Sequence, residues 1–256
     1  MSDQSGGETR RRGIQSVEIG LRVLEALAVL GGPAPLSAIA QATDMPPPQA
    51  HRYLQSLIAA GMAQQHPDSG RYDLGPAALK LGLSALARVD AFQIADAAIA
   101  DFVRRTNLTV QLAALGPLGP TIVRWLMGRP PVMTSFNVGS VLPLLTSATG
   151  QVFFSFMPDA ETGHLVAREL AEGPVSRSDA DRLRAKVRAD GFAYVDGMMV
   201  PGLRATAFPI FDLQGRVALT ATALQPDSSH SRRQDGTKAE LATLCRDISR
   251  QLGWQG

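Results

Sequence analysis

The sequence predicts an α+β protein in two parts: a small helical domain that ends in a two-stranded wing, and a larger domain in which helices flank an antiparallel sheet. Three observations carry this. Between Leu36 and Gly75 a short apolar helix, a proline-rich turn, a second amphipathic helix and a hairpin-like tail follow one another. From Asn107 onward the apolar pattern changes from helical spacing to strict alternation. A length of 256 residues, 45% apolar and 19% charged, fits two ordinary folded domains.

Gln15 to Leu30 carries Val17, Leu21, Leu24, Leu27 and Ala28 at helical spacing and stops at Gly31-Gly32-Pro33, so it reads as a support helix. Leu36 to Thr43 places Leu36, Ile39, Ala40 and Thr43 on one face of a helix too short to be stable alone. After Pro46-Pro47-Pro48, residues Ala50, Tyr53, Leu54, Leu57 and Ile58 form a core-facing stripe, and Gly61 ends the helix. Gln49, His51, Arg52, Gln55 and Ser56 are left on the opposite face. Met62 to His66, the turn Pro67-Asp68-Ser69-Gly70 and Arg71 to Gly75 then make the wing. This order is how a small domain presents a helix to DNA. Gln can pair two-handed with adenine and Arg with guanine, so Gln49, His51, Arg52 and Gln55 are the candidate readers, joined by Ser37 and by Arg71 of the wing.

Gly75-Pro76 opens a further helix with Leu79, Leu83 and Leu86 on one side, expected to run over 76–94 towards Phe102 as a linker with dimer contacts. Next come strands with Leu108, Val110, Leu112 and Ala114 on one face, a Gly116-Pro117-Leu118-Gly119-Pro120 turn, and Thr121 to Met127. Ala205 to Phe211 and Val217 to Ala223 make a second hairpin. Helices are expected at Ser147 to Met157, Ser178 to Ala189 and Lys238 to Leu252. The boundaries that follow are an arm over 1–12, a winged helix over 13–75, a linker over 76–94 and a second domain over 95–256.

Charge and composition exclude several classes. Net charge is only +2, although residues 10–88 hold eight basic against five acidic side chains, a modest positive balance that suits a protein finding one DNA site. Arg10-Arg11-Arg12 reads either as a solvated tail or as an arm reaching phosphates or the minor groove. The single cysteine, Cys245, excludes an internal disulfide, no His/Cys cluster has metal spacing, and no signal peptide or membrane span is apparent. A cytoplasmic protein without metal or other cofactor is expected. Between Thr106 and Pro158 the only charged residues are Arg124 and Arg129. They either meet an anionic ligand in an enclosed site or point to solvent and to acids such as Asp196 and Asp212.

Several stretches resemble the IclR-type bacterial transcriptional regulators. They are Ala50-His51-Arg52-Tyr53-Leu54; Tyr72-Asp73-Leu74-Gly75 followed by Leu79-x-Leu81-Gly82; Val138-Gly139 leading to Leu142-Pro143 and Ser147-Ala148-Thr149-Gly150; and Gly191-Phe192-Ala193 followed by Gly202, Ala207, Pro209 and Asp212. The resemblance implies a winged helix joined to a GAF-like effector domain. It also implies a repressor or activator that binds a double-stranded operator as a homodimer or homotetramer and answers to a small carboxylic or aromatic acid. Relatives hold the ligand's polar end at the loop matching Ser147, Ala148, Thr149 and Gly150, which agrees with anion binding at a helix start.

Two departures matter. Relatives usually carry a basic or hydroxyl residue where this chain has Pro47-Pro48, which moves readout onto Gln49, His51 and Arg52. Where relatives often have a polar or acidic pair this chain has Met198-Met199. With Trp125, Met127, Phe136 and Phe208 also available, either a more apolar pocket for an aromatic or aliphatic effector or plain core follows, with Arg124 the candidate for an anionic group. Catalysis is not expected: there is no nucleophile elbow or phosphate loop, and two of the four histidines lie in the DNA module. A ligand-sensing adaptor that binds protein instead of DNA is the alternative, and the donor face of Gln49, His51 and Arg52 argues against it.

Overall fold

The computed structural model describes residues 14–86, 90–226 and 233–256, which fall into two compact units, Met1–Val89 and Asp90–Gly256. The expected arm with Arg10, Arg11 and Arg12 lies outside the described residues.

In the first unit, helices α1 (Gln15–Val29), α2 (Leu36–Ala42) and α3 (Pro47–Ala59) precede strands β1 (Ala63–Gln65) and β2 (Tyr72–Leu74) and helix α4 (Pro76–Leu86). Pro47 and Pro48 occupy the first two helical positions of α3, where a missing N–H costs nothing. The helix ends at Gly61, whose φ of 69° suits the left-handed C-cap expected from sequence. Val23, Leu27, Ile39, Leu54, Ala63 and Tyr72 form the core. Ala34 exchanges two backbone hydrogen bonds with Tyr72, tying the loop before α2 to the wing.

One face is corrected. On α1 the buried residues are Ile19, Val23, Ala26 and Leu27, whereas Val17 and Leu21 of the expected stripe are more than half exposed. The helix carries two apolar stripes, and the sequence period fits both.

The second unit begins with α5 (Ala91–Thr106). Asp90 accepts hydrogen bonds from the backbone N–H groups of Phe92 and Gln93. It therefore caps a new helix, and the run expected over 76–94 does not continue through it. Strands β3 (Thr109–Gly116) and β4 (Gly119–Leu126) follow, then α6 (Ala148–Phe156), α7 (Asp159–Glu172), α8 (Arg177–Asp190), β5 (Ala193–Asp196), β6 (Leu203–Phe211), β7 (Val217–Pro226) and α9 (Arg233–Gln251). Helix α7 and strand β5 were not expected. The strands form an antiparallel sheet in the order β4-β3-β7-β6-β5.

Because side chains alternate across a strand, the sheet builds two cores. Val110, Leu112, Ile210, Leu219 and Ala221 pack against Phe102 of α5 and Leu241 and Ile248 of α9. On the other face Ala193, Val195 and Ala207 pack against Phe153 of α6, Leu165 of α7 and Val187 of α8. Cys245 is buried in the first core, and burial pushes its thiol up, so it remains neutral and inert. No helix among the described residues is long and apolar enough to cross a membrane.

Candidate functional site

The first site is the outer surface of α3 and the wing. Ala50 and Leu54 are fully buried, which by helical geometry turns His51, Arg52, Gln55 and Ser56 outward. Gln49 is half-buried beside them, and Ser37 of α2 is exposed. Pro47 and Pro48 have no N–H, and the N–H groups of Gln49 and Ala50 both donate to the Pro46 carbonyl. The start of α3 therefore offers a phosphate no backbone donor, and its polar contacts must come from side chains. Ser56 donates its hydroxyl to the Arg52 carbonyl, and the Arg52 side chain is exposed. His51 is placed differently: its Nδ1 lies 3.1 Å from the Tyr72 hydroxyl, with the two rings edge to face. It links the recognition helix to the wing and keeps only Nε2 for an outside partner. Arg71 donates to the Pro33 carbonyl at 3.2 Å, an exposed contact that orients it beside the wing.

The second site is a narrow cavity of about 50 Å³ between the sheet and the start of α6. One end is polar. The Gln111 amide donates to Thr149 Oγ1 at 3.0 Å, and Thr149 Oγ1 lies 2.8 Å from Thr222 Oγ1, all three residues being buried. Ser147 caps α6 by accepting the Gly150 N–H at 2.9 Å and donates its own hydroxyl to the Pro143 carbonyl. The rest is apolar, lined by Trp125, Phe136, Leu142, Met199, Val200 and Leu224. Thr146 points its hydroxyl at Met199 Sδ, 3.8 Å away. Among the described residues no ionisable side chain lines this cavity.

The structure thus brings together Trp125, Ser147, Ala148, Thr149 and Met199 of the expected set and separates others from it. Arg124 pairs in register with Leu112, on the α5 face, and its Nε sits 2.7 Å from Asp96 of α5. Trp125 pairs with Gln111 on the opposite face, so adjacent residues of one strand could not both enter the cavity. Phe208 pairs with Ala221, faces the α9 side and packs on Phe192. Met198 is 63% exposed while Met199 turns inward. Gly150 makes no wall of the cavity but shapes the loop behind it, and Arg129 is exposed. Sequence reading missed Gln111 and Thr222, although each is a lone polar residue between apolar neighbours on a strand, which is a usable signal.

The loop that closes the cavity, Leu142 to Ser147, is held from behind. The Glu169 carboxylate of α7 accepts the N–H groups of Leu144 and Leu145 at 2.5 and 2.8 Å, and Gln151 donates to the Leu145 carbonyl. Glu169→Ala leaves two amides in a buried loop without their charged acceptor. It is expected to cost about 1–3 kcal/mol in urea unfolding of the full chain, and an unchanged midpoint would show that the carboxylate does not hold the loop.

Comparison with known proteins places both units in one family. The family model of the IclR helix-turn-helix domain matches residues 16–67, and that of the bacterial transcriptional regulator IclR C-terminal domain matches residues 83–254. The glycerol operon regulatory protein of Streptomyces griseus is 29% identical over 256 aligned residues, covering 94% of this chain and 98% of its own. The crystal structure of Pseudomonas aeruginosa HmgR is 37% identical with a TM-score of 0.82, covering 95% of this chain and all of that one. An IclR homolog from Microbacterium hydrocarbonoxydans, solved with 4-hydroxybenzoate, shares the fold at 21% identity and a TM-score of 0.52, covering 92% of this chain and 99% of its own. The chain belongs to the IclR family of bacterial DNA-binding transcriptional regulators.

Proposed function

We propose that this regulator reads a double-stranded operator with Arg52, Gln55, Gln49 and the free nitrogen of His51. Ser37, Arg71 and the arm Arg10-Arg11-Arg12 supply backbone contacts. A small aromatic carboxylic acid in the cavity beside α6 sets operator affinity. The observation that carries the ligand reading is the buried chain Gln111, Thr149 and Thr222 beside the capped start of α6, at one end of a cavity otherwise walled by Trp125, Phe136 and Met199. Polar hydrogen-bonding groups converging at one end of an apolar cavity suit a flat ring with one polar substituent, and because about 50 Å³ is less than such a ring fills, binding must widen the cavity. A helix start compensates a carboxylate without a cationic side chain. The bound 4-hydroxybenzoate of the Microbacterium homolog has this chemistry.

The protein acts in the cytoplasm as a homodimer or homotetramer. Its working parts are the arm over 1–12, the winged helix over 13–75, a connecting segment over 76–94 and the ligand domain over 95–256. Support for association comes from Ile14 at the N-cap of α1, Val17 and Leu21 on α1, and Leu79, Leu81 and Leu83 on α4, each more than half exposed. Apolar side chains at this density on two helices call for a covering surface.

A thermal-shift screen of small aromatic and aliphatic carboxylic acids tests the ligand reading. A cognate acid at a hundred times its Kd stabilises the protein by about 2.7 kcal/mol, and the same acid changes operator affinity in a gel-shift titration. If acids that raise the melting temperature leave operator binding untouched, the coupling is refuted. If none raises it, the ligand class is wrong.

A further inference from the structure

A larger pocket, of about 630 Å³, lies elsewhere in the second unit. Its position follows from the sheet. Strand β5 pairs with β6 only as far as Ala193 and Ala207, so the end of β6, from Phe208 to Phe211, has no strand on its outer edge. The turn after α8 and the side of α9 flank that edge and leave the pocket between them.

Aromatic rings make its walls. Phe192 lies 5.7 Å from Phe208, Phe156 is edge-on to Phe211 at 5.4 Å, and Trp254 packs on Phe211 at 4.8 Å between ring centres. Positive charge rings the mouth. Arg188 comes from the last turn of α8, Lys238 and Arg246 from α9, and the Lys238 ammonium sits 3.6 Å above the Phe192 ring. The acid among the lining residues, Asp190, is paired with Lys186 at 2.6 Å. Arg188 donates to the Ser155 carbonyl and Arg246 to the Thr243 hydroxyl, and among the described residues neither guanidinium meets a carboxylate. A guanidinium bonded only to neutral oxygens keeps most of its capacity for an anion.

We propose that this pocket is a second ligand site, which takes an amphipathic carboxylate with its apolar body against Phe192, Phe208 and Trp254 and its carboxylate between Arg188 and Arg246. The two cavities differ in what they accept. Among the described residues the one beside α6 is small and carries no ionisable group, whereas this one is roomier, aromatic and rimmed by Arg188 and Arg246, which no carboxylate of the described residues engages. A pocket of this size lies in the range that encloses a drug-sized molecule.

The two tryptophans of the chain separate the sites, because Trp125 lines the first cavity and Trp254 the second. Full-length Trp125→Phe protein is titrated with 4-phenylbutyrate while Trp254 emission is followed. The expected result is a saturable change at one equivalent per chain. The Kd rises about tenfold or more in the Arg188→Gln, Arg246→Gln double variant, since a charge-assisted contact is lost. The uncharged 4-phenylbutyramide, tested on the unaltered arginines, gives no saturable change. Absence of a saturable Trp254 response, an equal response to the amide, or an unaltered Kd in the double variant overturns the proposal. In Trp254→Phe protein the remaining Trp125 reports the first cavity. Binding seen only there refutes the second site and leaves the proposed function standing, while a Trp254 response supports the second site whatever happens at the first.

Discussion

Arg52→Ala is expected to abolish operator binding while leaving the protein folded and associated. Arg52 is exposed on the outer face of α3, and among the described residues its contact outside the helix ladder is the Ser56 hydroxyl on its carbonyl, which alanine retains. Folding stability should therefore move by less than about 0.5 kcal/mol. A bidentate arginine contact to guanine contributes about 1–3 kcal/mol of discrimination. The proposed dimer, reading two half-sites, would lose it twice, so Kd should rise by roughly two to four orders of magnitude at fixed salt. Gel-shift titration and footprinting measure the loss, with circular dichroism and light scattering as controls. An undisturbed footprint would remove Arg52 from the recognition set. His51→Ala is a poorer probe, because it also breaks the contact with Tyr72 that joins the recognition helix to the wing. Any loss of binding there mixes readout with positioning.

Legibility in the sequence followed signal strength. The stripe on α3, the Gly61 cap and both long hairpins were readable because period and punctuation agree: Ala50 and Leu54 are buried as expected, and β6 and β7 pair across the Asp212 to Arg216 turn. Helix α1 was misread by face because Val17 and Leu21 repeat as regularly as Ile19 and Val23, and only the tertiary partner decides which pair is buried. Helix α7 escaped because it starts after Pro158 with no side-chain cap and buries only Thr162, Leu165 and Val166. Strand β5 has four residues, too few for alternation to stand out.

The candidate cavity was half legible for the same reason. The resemblance located Ser147 to Thr149 and, as a departure from relatives, Met199, while Trp125 was included as an available aromatic. Arg124 and Phe208 were included although strand alternation puts them on the other face, where Asp96 and Phe192 receive them. Their inclusion rested on residue chemistry, and a strand assigns side chains to faces without regard to chemistry. The consequence for the ligand is direct. With Arg124 engaged by Asp96, no cation among the described residues lines the cavity, and in the proposed reading recognition of a carboxylate would fall to the start of α6 and its hydroxyls.

That start depends on Gly150, where a single methyl group is expected to collapse the site. A Cβ at this position would lie 2.1 Å from the Pro143 carbonyl oxygen and 2.6 Å from two backbone atoms of Leu144, so backbone must move. The loop has nowhere to go. Ser147 holds the Pro143 carbonyl, Glu169 holds the amides of Leu144 and Leu145, and Gln151 holds the Leu145 carbonyl. Retreat of the loop breaks several of these bonds, and retreat of α6 disturbs a helix whose residues Ala148 to Ser155 are all buried. Gly150→Ala should cost about 3 kcal/mol or more, as overpacking against fixed backbone does, which lowers Tm by roughly 6–12 °C in a domain of this size. Ligand stabilisation should vanish with it, because Thr149 leaves the Gln111 and Thr222 partners that form the polar end. The same substitution at Gly163, inside α7 with nothing within 4 Å of the added carbon, should instead stabilise by about 0.5–1 kcal/mol through helix propensity. Opposite signs from one chemical change identify the contact with Pro143 as the cause. A Gly150→Ala protein that melts with the native chain and still binds its acid would mean the loop is free to move, and the cavity would then lack a fixed wall.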